Sequence, residues 1–219
     1  MLATLQRVED VTASTKTFWF KPAGRFRYVA GEFTELYLPH EVADTRGDKR
    51  WFSLSSSPTQ PLVSITSKFA PTNGSSFKQA LLSLRPGQTV QLAEPMGDFV
   101  LPKDTTIPIV FIAWGVGITP VYSIAQWVQA TQDERVMTII HQARGMTDMP
   151  FRAYFETCYA ASYRATTDAI LPHLPAPTPA TLYYLAGAED KAKALKQQLE
   201  GLGIVSGNIV TDYFPGYPA

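Results

Sequence analysis

The hydrophobic pattern of this 219-residue chain changes near residue 101. Up to that point, short β-prone runs alternate with turns rich in glycine and proline, and six such runs predict a small antiparallel barrel or sandwich. After a polar linker over residues 101–106, apolar strands alternate with helical segments, which predicts a parallel sheet with crossovers. The sequence therefore predicts two domains, over residues 1–101 and 107–219.

The predicted elements are runs of β-branched, aromatic or periodically apolar residues bounded by turn residues. The first domain has predicted strands at residues 2–8, 15–21, 33–38, 51–55, 62–69 and 89–92, and a helix at 76–84. The second has predicted strands at 107–113, 135–141, 181–185 and 208–214, a doubtful short strand at 163–167, and helices at 120–130, 150–159 and 189–200.

Charge and cysteine content exclude several classes of function. Nineteen basic and nineteen acidic residues cancel, so the chain has no charge excess for binding nucleic acid or an anionic membrane. One cysteine cannot form an internal disulfide, and no Cys/His pattern is suited to zinc or an iron-sulfur cluster. The first ten residues include charged side chains and lack an apolar core of the length found in a signal peptide. We expect a cytoplasmic protein that acts on small molecules and binds no metal.

Residues 107–132 carry no charged side chain, which superficially fits a membrane span. Pro108, Gly115, Gly117 and Pro120 interrupt this segment, however. The pattern favours a buried strand that turns into a helix, and we expect no membrane span.

Residues 50–58, RWFSLSSSP, combine a cation, an aromatic ring and several hydroxyls on one strand and turn. Arg50 offers a planar fork of donors for a pyrophosphate, Phe52 offers a face for stacking, and the serines can donate to phosphate or to a flavin ring. The alternative is an edge strand that runs into a Ser/Pro turn. The candidate flavin contacts here are Arg50, Phe52, Ser53, Leu54 and Ser55.

Three further turns could receive phosphate groups, because each opens a predicted helix whose free N–H groups favour an anion. The simpler interpretations are an ordinary N-cap for the first turn and ordinary strand-to-helix connections for the other two. The candidate residues are Gly74, Ser75 and Ser76 in the first turn, Gly115, Gly117, Ile118, Thr119 and Pro120 in GVGITP, and Gly187 in YLAGAED.

The C-terminal stretch TDYFPGY places one carboxylate, Asp212, beside three aromatic rings. Without context, such a cluster is typical of core or interface packing. Phe214 and Tyr217 are the rings that could instead cover a bound cofactor.

RxFSxxS, the Gly/Ser turn, EPMGDF, GVGITP and the terminal aromatic cluster together resemble, in content and order, the ferredoxin-NADP reductase-like flavoproteins. The resemblance implies an N-terminal antiparallel six-stranded flavin-binding β-barrel followed by a compact parallel α/β nucleotide-binding domain. The barrel would hold FAD, or less often FMN, and the second domain NAD(P)H.

Individual roles also follow from the resemblance. Arg50 would grip the flavin pyrophosphate, Phe52 would stack on the flavin, and Ser53 would lie near its reactive nitrogen. The remaining contacts implied are Ser67 and Lys68 along the ribityl and phosphate chain, Gly74, Ser75 and Ser76 around phosphate, and GVGITP with Gly187 around the nicotinamide dinucleotide.

The chain departs from the family pattern at several positions. Phe52 replaces the usual tyrosine, the turn at 186–188 lacks the thiol of a Cys-Gly-Pro turn, and Trp114 replaces a small residue. Between residues 144 and 168, most of a full strand and crossover is expected to be missing. The candidate phosphate contacts near that region are His141, Arg144 and Arg164, and the alternative for each is a solvated surface residue.

The expected function is a flavin-dependent NAD(P)H oxidoreductase, which passes hydride from nicotinamide to FAD and then electrons to an acceptor. Ferredoxin or flavodoxin is the expected partner, with small acceptors such as free flavin, a quinone or ferric chelates also open. Ser53, Asp212 and Phe214 are the candidate catalytic residues. The alternative is a non-catalytic flavin-binding electron-relay module of a larger complex.

Overall fold

A computed structural model describes residues 1–41, 43–69 and 74–212 of the chain. The candidate rings Phe214 and Tyr217, and the end of the last predicted strand, lie outside the described residues. The described residues form two sheets, one antiparallel with six strands and one parallel with five. The predicted fold class is therefore confirmed.

The first sheet is a closed antiparallel barrel. Its strands lie side by side in the order β4-β3-β6-β1-β2-β5, and a bridge between Leu54 and Ile65 joins the β4 and β5 edges. The strands are β1 (Leu2–Thr12), β2 (Thr15–Pro22), β3 (Phe33–Tyr37), β4 (Lys49–Ser53), β5 (Val63–Lys68) and β6 (Thr89–Leu92). All six predicted strands are thus present.

The predicted ends of two strands are wrong. Strand β1 continues to Thr12 because its polar second half forms an exposed ribbon with β2, where Arg7 lies over the Trp19 ring and no apolar face is needed. Strand β4 ends at Ser53, since the amide of Leu54 donates to the carbonyl of Glu32 and the amide of Ser55 donates to the carbonyl of Ser64 on β5.

Helix α1 (Ser76–Ser83) closes one end of the barrel. Phe77 and Leu81 are fully buried on its inner face, in one cluster with Phe18, Phe20 and Leu36 from the strands. The predicted helix is confirmed, and its amphipathic spacing is the reason that one face enters the core.

The second sheet has the order β11-β10-β7-β8-β9, with all strands parallel. The chain moves outward from β7 to β9 and then returns to β10 on the other side of β7. This reversal creates a crevice at the carboxyl ends of β7 and β10, where ligands bind in sheets of this kind. The elements are β7 (Ile109–Trp114), α2 (Thr119–Thr131), β8 (Met137–Gln142), α3 (Arg152–Cys158), β9 (Tyr163–Thr166), β10 (Leu182–Ala186), α4 (Glu189–Gly201) and β11 (Ile209–Asp212).

The uncharged segment 107–132 forms β7, a 3-10 turn and α2. Within the parts of the chain that the structure describes, no helix is long and apolar enough to cross a bilayer.

The structure contains a strand and a helix between residues 144 and 168. The doubtful strand is present as β9, and α3 connects it to β8, so the expectation that this strand and crossover are mostly missing is wrong. Residues 167–181 connect β9 to β10 with a 3-10 turn, Leu171–His173, and no α-helix.

The segment that connects the two sheets is anchored to the second one. The Tyr184 hydroxyl donates to the carbonyl of Val100 at 2.7 Å, and the Arg135 guanidinium donates to the carbonyl of Pro102 at 3.2 Å. Gly31, from the barrel side, packs against the backbone of Phe99 and the side chain of Ile124 in α2. These contacts fix the barrel against the parallel sheet.

Gly31→Ala is expected to lower the free energy of unfolding by about 3 kcal/mol or more, combining steric overlap with backbone strain. Gly31 has φ +102°, and a Cβ there would lie 2.0 Å from the carbonyl oxygen of Phe99. Gly87→Ala is the matched control: φ is +92°, and its Cβ would meet no described atom within 4 Å. We expect the control to lose about 1–2 kcal/mol by urea unfolding. Equal losses would show that the Gly31 contact does not matter.

Candidate functional site

Ser53 and Asp212 meet where the two sheets face each other. The Ser53 hydroxyl at the end of β4 donates to Asp212 Oδ2 at 3.1 Å, although 159 residues separate them. The amide of Gly187 donates to the Asp212 carbonyl at 3.1 Å, which fixes the end of β11 beside the turn after β10. Burial raises the pKa of the Asp212 carboxyl to about 6, against the opposing effect of the Ser53 hydrogen bond. Two of the three candidate catalytic residues are thus in contact.

The serine turn after β4 is attached to helix α2. The Ser123 hydroxyl donates to the carbonyl of Ser56 at 2.5 Å, and the Gln126 amide donates to the carbonyl of Ser55 at 3.1 Å. The Tyr28 hydroxyl also donates to the carbonyl of Ser56, at 3.0 Å. These bonds hold the strand that carries Arg50 and Ser53 in a fixed position relative to the parallel sheet.

Leu54 and Ser55 differ from the sequence-based expectation. Both side chains are fully buried, and the Ser55 hydroxyl bonds to the hydroxyls of Ser64 and Thr66 at 2.9 Å each. Thr66 in turn contacts Thr17 at 2.8 Å. The amides of both residues and the carbonyl of Ser55 are also hydrogen-bonded within the protein, so neither these groups nor the two side chains are available to a ligand.

A pair of cations lies beside an aromatic pair at the start of α1. The buried Arg50 guanidinium lies 5.0 Å from the Phe77 ring centre, and Phe52 stacks on Phe77 with ring centres 6.1 Å apart. The pKa of the Lys78 ammonium is lowered, first by burial and then by the positive charge of Arg50. Two cations close enough to repel each other suit a dianionic group such as a pyrophosphate.

Asp44 occupies the N-terminal end of α1. Its carboxylate accepts from the amide of Ser76 at 2.9 Å, and its own amide donates to the Ser76 hydroxyl at 2.9 Å. The Arg46 guanidinium, bonded at 2.7 Å, and the Ser76 amide hold the pKa of the Asp44 carboxyl well below its usual range. Ser75 is the N-cap, accepting from the amide of Lys78 at 3.2 Å. A carboxylate of this chain therefore occupies the position at which the sequence predicts a phosphate group, and Ser75 is an ordinary N-cap.

The two glycine turns of the second domain touch each other. A Cβ on Gly117 would lie 2.4 Å from the carbonyl oxygen of Ala186, and a Cβ on Gly187, at φ +134°, would lie 3.0 Å from the carbonyl oxygen of Trp114. The turns after β7 and β10 therefore border one crevice, as their positions in sequence predict. Neither position has room for a side chain.

The helical end of GVGITP faces inward. Ile118 is fully buried in the core, Thr119 and Pro120 are buried, and the Thr119 hydroxyl donates to the carbonyl of Val116 at 3.0 Å. These three residues can offer a nucleotide only their backbone and the helix field. Gly115 and Gly117 are partly exposed, and a Cβ would meet open space at Gly115 but not at Gly117.

The structure also locates the remaining candidates. His141 is fully buried and so cannot touch a phosphate, while Arg144 and Arg164 are exposed. Trp114 is buried in the cluster against α4, so its bulk does not fill the crevice mouth. Ser67 is buried, Lys68 is exposed with its carbonyl accepting from the Lys78 ammonium at 2.6 Å, and Gly74 lies just before α1.

Sequence reasoning missed Lys78 and Asp44. Lys78 lies in the first turn of α1, which contains no acidic residue, and a cation there opposes the helix dipole. That conflict is a local signal for an anion and could have been found. Asp44 carries no comparable signal, because 32 residues separate it from Ser76.

Proteins similar to this chain in sequence or in fold agree with the geometry of the site. No protein-family model matches the sequence. The chain is 30% identical over 157 residues to flavohemoprotein A of Dictyostelium discoideum, a match that covers 67% of this chain and 39% of that protein. The chain thus spans about two fifths of the length of that relative.

Solved structures share the whole arrangement of the two sheets. The crystal structure of the flavohem-like FAD/NAD binding domain of nitric oxide dioxygenase from Vibrio cholerae O1 biovar El Tor has a TM-score of 0.80 and 21% identity, covering 97% of this chain and 98% of that one. A ferredoxin NADP+ reductase from Neisseria gonorrhoeae, with bound FAD and NADP, has a TM-score of 0.79 and 18% identity, covering 97% of each chain. The chain belongs to the ferredoxin-NADP reductase-like flavoprotein family.

Proposed function

We propose that this chain is an FAD-dependent NAD(P)H oxidoreductase, with FAD held by the barrel and the nicotinamide dinucleotide by the parallel sheet. The observation that carries the proposal is the contact between Ser53 and Asp212 at the junction of the two sheets. It brings a hydroxyl from the flavin-type motif and a carboxyl with a raised pKa to the same point. The Neisseria gonorrhoeae reductase, which shares this fold, was crystallised with FAD and NADP.

The residues around α1 fit an FAD pyrophosphate. Arg50 and Lys78 supply two positive charges, and the amide of Ser76 supplies a donor once the Asp44 carboxylate moves away. Phe52 supplies the ring for stacking. FAD is proposed over FMN because the Neisseria gonorrhoeae reductase that shares this fold was crystallised with FAD.

The glycine turns would receive the nicotinamide dinucleotide. Gly117 lies against the backbone of Ala186 and Gly187, and Gly187 lies against Trp114, so the two turns together border the crevice between β7 and β10. Arg144, exposed after β8, remains a proposed contact for the adenosine end.

FAD held by Arg50, Phe52 and Lys78 would supply the redox chemistry, which is hydride acceptance from reduced nicotinamide and electron donation to an acceptor. Asp212, when ionised, stabilises the positive charge that develops on the nicotinamide ring, and Ser53 orients the Asp212 carboxylate through Oδ2. The proposal retains Phe214 and Tyr217 as the rings that cover the cofactor.

The direct test is an anaerobic visible spectrum of the purified protein before and after separate additions of NADH and NADPH. We expect flavin absorbance that one equivalent of the preferred nucleotide bleaches within the mixing time. A colourless protein that gains no flavin spectrum with added FAD would refute the proposal.

The acceptor is a second part of the proposal. We propose a redox protein such as ferredoxin or flavodoxin as the electron acceptor of the reduced flavin. One rival to this proposal is a non-catalytic electron-relay module of a larger complex, with weak or no nicotinamide binding. A yellow protein that neither nucleotide bleaches would support that rival.

A further inference from the structure

His141 lies directly beneath the first glycine turn of the parallel sheet. It is the fifth residue of β8, its side chain is 0% exposed, and its ring is bonded at both nitrogens. Nε2 lies 2.9 Å from the carbonyl oxygen of Gly115, and Nδ1 lies 3.2 Å from the hydroxyl of Tyr163 on β9. Neither partner belongs to the residues that the proposed function uses for catalysis.

The partners fix the tautomer of the imidazole. A carbonyl oxygen can only accept, so Nε2 carries the proton and donates to Gly115, and the Tyr163 hydroxyl donates to Nδ1. Burial lowers the pKa of His141 to about 4, so the ring is neutral at physiological pH. The imidazole is therefore a fixed, single-direction donor to the turn.

This bond sets the orientation of a peptide plane. The carbonyl of Gly115 and the N–H of Val116 belong to the same trans peptide, in which they point in opposite directions. Holding the carbonyl on His141 therefore turns the Val116 N–H away from the protein interior. Gly115 has φ +54° and no Cβ, so this plane is held by the His141 bond together with the 3-10 turn that begins at Gly115.

We propose that His141 is a positioning residue for the nicotinamide dinucleotide: its Nε2–H holds the Gly115 carbonyl inward, so that the Val116 amide is preset as a phosphate donor. The inference rests on the proposed function of the same turn. It adds a buried residue that never touches the nucleotide but determines which backbone groups the turn presents. The gain is preorganisation, because a turn already in its binding conformation loses less entropy on binding.

The test compares two variants of the FAD-loaded protein. His141→Leu keeps the volume but removes the donor, and it is expected to weaken binding of NADP+ and NAD+ by about 5- to 10-fold, the value of one hydrogen bond. His141→Gln keeps an amide N–H that can reach the Gly115 carbonyl, and it is expected to stay within about threefold of wild type. Dissociation constants come from calorimetric titration, and flavin content should be unchanged in both variants.

Each outcome separates the inference from the proposed function. If wild-type protein binds neither nucleotide, the proposed function fails, and the inference fails with it. If wild type binds the nucleotide and both variants bind it as well as wild type does, only the role of His141 is refuted. The same holds if both variants lose nucleotide affinity to the same extent.

A measurement on the wild-type protein covers the case in which His141→Leu does not fold. Nitrogen-15 NMR of the histidine side chains should find His141 neutral with the proton on Nε2 between pH 6 and 8. A proton on Nδ1 would overturn the inference even without a variant.

Discussion

Arg50→Ala is expected to weaken FAD binding by about 10- to 100-fold, because charge-assisted hydrogen bonds contribute about 1.5–3 kcal/mol each. The guanidinium is buried beside Phe77, and its charge already acts on Lys78. The measurement is the flavin-to-protein ratio after purification, followed by titration of the flavin-free protein with FAD. Arg50→Lys should bind FAD more weakly than wild type but more tightly than Arg50→Ala, since it keeps the charge but loses the planar fork.

Two controls sharpen this result. Arg144→Ala removes an exposed cation from the other domain and should leave FAD binding unchanged, so equal flavin loss in both variants would contradict the assignment. Asp44→Ala should act in the opposite direction, since it removes a carboxylate from the position that phosphate must take at Ser76. Arg50 also donates to the carbonyls of Arg46 and Gly47, so thermal unfolding of each variant must accompany the titrations.

Asp212→Asn is expected to slow reduction of the flavin by NAD(P)H about tenfold above pH 7, because a neutral side chain no longer stabilises the cationic nicotinamide. In wild type, the carboxyl loses its proton near pH 6, so the reduction rate should rise through that pH and then level off. The reduction rate of Asp212→Asn should show no inflection with pH, and the wild-type and variant rates should converge near pH 5. Stopped-flow absorbance measures both profiles.

Asp212→Asn should stabilise the folded protein above pH 6, although it slows flavin reduction. The folded-state pKa of Asp212 is raised from 3.8 to about 6, so its contribution is fully present below pH 4 and is lost as pH rises through 6. Asp212→Asn should therefore raise the unfolding free energy at pH 8 by about 1–2 kcal/mol. A variant that is slower but also less stable would indicate general damage. Ser53→Ala provides a second check, since losing its bond should move the inflection to higher pH.

Local sequence signals predicted much of this protein, and the errors lie where local signals end. The strand and helix order followed from apolar periodicity and turn residues, both of which act over a few residues. The polar half of β1 had no such signal, because its stability comes from pairing with β2 in an exposed ribbon. Strand β9 was doubtful from its sequence, yet it gains a partner in β8.

Some residues of the candidate site could likewise be predicted from local sequence signals, and others could not. Arg50, Ser53 and Asp212 were selected by residue type and order. Ser55 was selected by the same motif, but its hydroxyl bonds within the barrel, because alternation along a strand does not reveal which face another strand covers. His141 was expected to contact phosphate, and burial in the sheet gives it a different partner.

The sequence by itself determined the two-domain architecture, the glycine turns and the flavin-type motif, because each depends on residues close together in the chain. Only the tertiary structure decided that Ser53 meets Asp212, that Asp44 lies at Ser76, and that Lys78 stands beside Arg50. These contacts depend on closure of the barrel and on its docking against the parallel sheet, which join residues through packing between elements.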